Sequence, residues 1–242
     1  MTIESVASIM QWLIYAAIAI GLGLNLYVVK KIGKGVLNVV FISLGFSLLF
    51  IGLSNAFIYL ADSSFFQLEE VTFHVWWHLI MYMSFISLIW GGYRIKNIIA
   101  SGDSNGFGKK DMTLFGVMTA IAALIFIIAP GLNAGLSALL TGSIIDTLGA
   151  HHLIAFLLAF SAGFYMLYIK GSISSAVGKS ATFIVVLLFL FGGQHLWEIL
   201  TESWKIISLD SSVIELVEQF IILPALFCFI LSQQAILKVI KR

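Results

Sequence analysis

Seven predominantly apolar stretches, separated by short charged or Gly/Ser-rich turns, run the length of this chain. A helix of about 20 such residues, at roughly 1.5 Å each, matches the ~30 Å hydrocarbon core of a bilayer. Inside lipid, only helices and closed barrels satisfy their own backbone hydrogen bonds. The stretches are therefore predicted as helices at 7–29, 36–61, 71–98, 112–130, 147–169, 179–206 and 212–238. The expected fold is an all-α integral membrane protein, a single seven-transmembrane-helix bundle over residues 1–242. Charged residues make up 10% of the chain, against about 25% in a soluble domain. The connections are too short for a soluble domain, and Pro130 is expected to close span four and Pro224 to kink span seven. The segment 131–146 is apolar enough to lie along the interface or dip back into the protein.

The charges orient the bundle. Of the 13 Lys and Arg residues, all but Lys205 fall on one side: Lys30, Lys31 and Lys34; Arg94, Lys96, Lys109 and Lys110; Lys170 and Lys179; Lys238, Lys241 and Arg242. Of the 12 acids, only Asp103 and Asp111 share that side. The positive-inside rule makes it cytoplasmic, with the N-terminus outside, the C-terminus inside, and the chain in a cell (plasma or inner) membrane. The first apolar run has no basic segment before it and is full length, so it reads as a retained helix rather than a signal peptide. A net charge of +1 without a basic tract gives no reason to expect nucleic acid. Cys228 is the only cysteine, which excludes an intrachain disulfide and a Cys-x-x-Cys motif.

Spans three and five align without gaps. His78-Leu-Ile runs to Ile95-Lys96, and His152-Leu-Ile runs to Ile169-Lys170 at the same spacing, with Ser87 and Ser161 in register. Span one aligns more loosely through Trp12-Leu13-Ile14 and Lys30. This suggests three helix hairpins plus a seventh helix. It also places His78 and His152 at similar depth.

The five histidines lie in the outer halves of spans three, five and six. Polar residues at such depth are costly and usually functional. His74 and His78, at i and i+4, share a helix face. His151 and His152 point about 100° apart, so one of the two is expected to face the core. His195 is followed by Glu198 and Glu202 on its own face. Imidazole suits Zn, Cu, Fe and haem iron, and carboxylate adds harder character.

Two cofactor readings follow, both in the outer half of the bilayer. In the first, His78 and His152, with His195 as the alternative, are axial ligands of a haem b. The chain is then a b-type cytochrome-like electron-transfer subunit, exchanging electrons with a quinol or an external redox partner. Gly192 and Gly193 would admit the macrocycle, and Lys205 would meet a propionate. In the second, His74, His78, His151, His152, His195 and Glu198 supply a His/Glu shell for Zn, Cu or Fe ions in a membrane metalloenzyme. The His-x-x-x-His start is shared with the histidine boxes of membrane desaturases and hydroxylases, but the later His-x-x-His-His boxes are absent. A third reading keeps the bundle free of cofactor, as a proton-coupled transporter or a structural subunit. In every case, partners in a membrane complex are expected, because the chain has no soluble domain to receive electrons or product. Trp76, Trp77, Trp197 and Trp204 fit an outer aromatic belt, with lining of the site as the alternative for some of them. Tyr82, at i+4 from His78, is placed to orient it or to pack in the core.

Overall fold

A computed structural model describes residues 3–32, 35–62, 66–102, 108–171 and 175–240. Lys34, Asp103, Lys241 and Arg242, used above to orient the chain, lie outside them, as does 103–107 of the segment between spans three and four. Every regular element among the described residues is helical: α1 (Ile3–Lys31), α2 (Val36–Asp62), α3 (Glu70–Ser101), α4 (Lys109–Leu140), the short α5 (Ile144–Thr147), α6 (Ala150–Lys170), α7 (Ser175–Glu198) and α8 (Ser211–Ile240). The seven longer ones are long and apolar enough to cross a membrane. Leu26, Ile127 and Leu139 stand more than 70% exposed on the outside of the bundle, as lipid contact requires.

Six helices close a ring in the order α1, α2, α3, α6, α7, α8, with α8 packing back on α1. Helix α4 sits outside it, against α3 and α2. The hairpin partners of the sequence reading do pack together, but the helix that stands apart is the fourth span, not the seventh. Its attachment is specific. Asp111 is 4% exposed, accepts from Trp90 Nε1 at 3.0 Å and from the Gly108 N–H at 2.8 Å, and lies 3.3 Å from Arg94 Nε.

The ring is filled mainly by Phe, Leu and Ile, among them Phe41, Phe50, Phe85, Phe191 and Phe229, all at most 1% exposed. Small polar residues join helices across it. The Ser47 and Ser84 hydroxyls bond α2 to α3 at 2.7 Å, and Ser180 and Ser232 bond α7 to α8 at 2.9 Å. Such bonds satisfy hydroxyls where water is excluded.

Pro130 does not close its span. Helix α4 runs through it to Leu140, and α8 likewise continues through Pro224. A proline removes one helical hydrogen bond but has a helix-compatible φ, and membrane helices tolerate that loss. The turns beyond Pro130 are held from outside: the Asn133 side chain accepts from the Glu69 N–H at 2.9 Å and donates to the Gln67 carbonyl at 3.1 Å. The predicted loop is therefore mostly helix, and it caps the start of α3. Span five also begins later than predicted, at Ala150, after α5 and a left-handed Gly149 (φ 59°). The last turn of α7 widens into a π-turn over Ile199–Ser203, closed by the Trp204 N–H on the Ile199 carbonyl at 2.8 Å.

Candidate metal centre

Three neighbouring helices deliver the ligand-type side chains to one end of the ring. Helix α3 contributes His74 and His78 from its first turns, α6 opens with His151 and His152, and α7 ends with His195 and Glu198, followed by Glu202 in the π-turn. The imidazoles form one contiguous group. The His78 ring centroid lies 4.6 Å from that of His152, 4.8 Å from His151 and 5.4 Å from His195. The His74 ring is 5.6 Å from both His151 and His152. Both residues of the His151–His152 pair therefore take part, their rings 4.2 Å apart, where the 100° separation predicted one. They stand in the first turn of α6, where side chains lean back toward the helix start, and the His151 ring reaches the Ile145 carbonyl.

Glu198 holds the group together. It is 1% exposed, and a buried carboxylate is tolerated only when paired. Its Oε2 accepts from Nδ1 of His195 at 2.6 Å and Nδ1 of His152 at 2.8 Å, and lies 3.9 Å from His78 Nε2. Its Oε1 accepts from Gln194 Nε2 at 2.9 Å.

Those bonds set the ring tautomers. His78 Nδ1 meets the His74 carbonyl at 2.7 Å, and His151 Nδ1 meets the Ile145 carbonyl at 3.0 Å. A carbonyl only accepts, so each Nδ1 carries the proton and each Nε2 keeps its lone pair. His195 is arranged in the same way by Glu198. The Nε2 atoms of His78, His151 and His195, and Nδ1 of His74, are buried without a hydrogen-bond partner. A metal-ligating histidine has this arrangement: one nitrogen donating to a carbonyl or carboxylate, the other bare. Three groupings bring one potential ligand atom per residue within 4.8 Å of one another: His78, His152, His195 and Glu198; His74, His78 and His151; His74, His152 and Glu202. The cluster could hold a metal ion.

No known protein family, curated protein or solved structure matches this chain.

Some supporting residues escaped the sequence reading, and others take a different role from the one expected. Gln194, which braces Glu198, was detectable as its i−4 neighbour on the same face. Tyr82 does not touch a His78 nitrogen; its hydroxyl donates to the His151 carbonyl at 2.6 Å, tying α3 to the start of α6. Trp77 is not a belt residue. It is 6% exposed, and its ring meets that of His78 edge-on at 4.4 Å. Phe85 stands 6.0 Å from His195, so apolar walls keep water from the buried nitrogens. Trp204, half exposed, does suit an interfacial position.

Of the features read as fitting a haem, Gly192 has another partner. A Cβ on Gly192 would run into the Phe160 ring of α6, whereas one on Gly193 would meet nothing within 4 Å. Gly192 thus serves close helix packing. Lys205 is exposed in the turn after α7.

Proposed function

We propose that this chain is a membrane metalloenzyme whose centre is a divalent Zn, Cu or Fe ion held by His78, His152, His195 and Glu198. The observation that carries this is the bare, buried Nε2 on His78 and His195, each ring already oriented through its Nδ1. A lone pair buried without a donor costs roughly 1–3 kcal/mol, and metal coordination is the chemistry that uses it. The donor set of imidazoles plus one carboxylate suits Zn, Cu and Fe more than Mg or Ca, which take oxygen ligands. The ion would polarise a bound water or carbonyl, or cycle between oxidation states, according to which metal is taken up. The chain's own contribution is to aim the imidazoles, balance charge with Glu198 and exclude water with Trp77 and Phe85. Glu202, 35% exposed at its side chain, marks the side from which ion and substrate arrive; the charge pattern assigns this to the outer face.

Packing favours an ion over haem b. Two axial histidines must stand on opposite faces of a flat macrocycle. Here every histidine ring has at least two others within 6.5 Å, so a porphyrin between any pair would displace a third.

The test is elemental analysis of the detergent-purified chain together with its reduced-minus-oxidised visible spectrum. Stoichiometric Zn, Cu or Fe without haem bands is expected. Sharp α and Soret bands would restore the cytochrome, and metal-free protein that cannot be loaded would remove both.

A further inference from the structure

His152 stands between two carboxylates. Its Nδ1 is 2.8 Å from Glu198 Oε2, and its Nε2 is 3.4 Å from Glu202 Oε2. A neutral imidazole has a single N–H, and that proton serves Glu198 at the shorter contact. Nε2 then faces an anionic oxygen, and the contact is favourable when a cation, either a second ring proton or a metal ion, sits between them. His74 lies beside the same place. Its ring is 5.6 Å from that of His152, and its Nδ1 is buried without a partner. His74, His152 and Glu202 each offer an atom within 4.8 Å of the others. His74 and Glu202 have no place in the deep group around Glu198, so this trio adds two ligands of its own. Glu202 reaches it from the π-turn, and π-turns inside helices occur frequently at functional sites.

We infer that the centre is dinuclear: a second divalent transition-metal ion binds between His74, His152 Nε2 and Glu202, one layer nearer the bundle end than the ion held around Glu198. This rests on the metalloenzyme reading above. Three protein ligands leave a fourth position open, the arrangement of catalytic rather than structural zinc sites. His152 links the layers, ligating the second ion through Nε2 while donating through Nδ1 to Glu198. With a second ion bound, His152 leaves the set of four proposed above, and the deep ion keeps His78, His195 and Glu198. The class of ligand this implies is a small oxygen donor, such as water or hydroxide, shared between neighbouring ions.

The experiment is Co2+ titration of the chelator-stripped, full-length protein in detergent, followed by absorption and by Co2+ content after desalting. Two equivalents per chain are expected for the native protein, and one for His74→Ala and for Glu202→Gln. Glu202→Gln keeps the shape of the side chain, and an unchanged gel-filtration profile shows that the loss is local. A single equivalent in the native protein, or two retained by both variants, overturns the second ion and leaves the proposed function standing. No Co2+ bound by the native chain overturns both.

Discussion

His78 and His152 meet edge to face, ring centroids 4.6 Å apart and planes at 90°, although they belong to different helices of the ring. Each stands at the same number of residues from the lysine near the far end of its helix, Lys96 in α3 and Lys170 in α6. Equal rise along parallel neighbours brings them to one level, where Glu198 of α7 meets both.

Replacing Glu198 with Gln should weaken metal binding more than its small change in shape implies. The amide loses one acceptor and adds an N–H against the N–H groups of His152 and His195. Loss of a group that orients ligands typically costs 10–100-fold in metal affinity, and Glu198 is also a ligand. A competition titration against a chelator reads this, and unaltered affinity would rule out the deep site.

Tyr82→Phe removes the only described hydrogen bond from the Tyr82 hydroxyl, to the His151 carbonyl. A cost of about 0.5–1.5 kcal/mol is expected for the lost hydrogen bond, since the His151 carbonyl keeps its helical partner in α6. Thermal unfolding in detergent should show it as a lower midpoint, with metal stoichiometry unchanged because no ligand is lost.

Gly149→Ala should be damaging where Gly193→Ala is nearly silent. Gly149 has φ 59°, and a Cβ there would overlap the Ser203 side chain. The left-handed backbone alone costs an alanine about 1–2 kcal/mol. Relieving the overlap must shift the start of α6, and with it His151 and His152. Lower metal affinity is expected for Gly149→Ala, and near-native affinity for Gly193→Ala.

Asn133→Ala tests the unpredicted helical extension of α4. It removes the side chain that accepts from the N-terminal N–H of α3, a loss of about 0.5–2 kcal/mol by analogy with helix caps. Equal stability of variant and native protein in thermal unfolding would show that the extension does not hold α3.

Asp111→Asn is the control at the opposite end of α3. It weakens the contacts of Asp111 with Arg94, Trp90 and Gly108. Lower thermal stability is expected with full metal content. Loss of metal would mean that the seat of α4 is coupled to the cluster.

Much of this was readable without coordinates. Helix number and the axial level of each histidine follow from apolar run length and a fixed rise per residue, both local quantities. The grouping of His74, His78, His152 and His195 with Glu198 needed only that α3, α6 and α7 be neighbours. What could not be read were features set by contacts distant in sequence. Trp77 carries the same tryptophan signal as a belt residue and differs only in what packs on it. Pro130 stops a helix on local grounds but is carried through in α4, whose next turns are held by contacts to the residues just before α3.

The sequence by itself determined that seven helices long and apolar enough to cross a membrane would form, and that five imidazoles and two carboxylates would lie within a few turns of one level. The tertiary structure decided which helices close the ring, that α4 stays outside it, that both His151 and His152 turn toward the group, and which nitrogen of each ring is left bare. The reason is geometric. Position along a helix is set by counting residues, whereas the direction a side chain faces and the tautomer it holds depend on neighbours that only packing supplies.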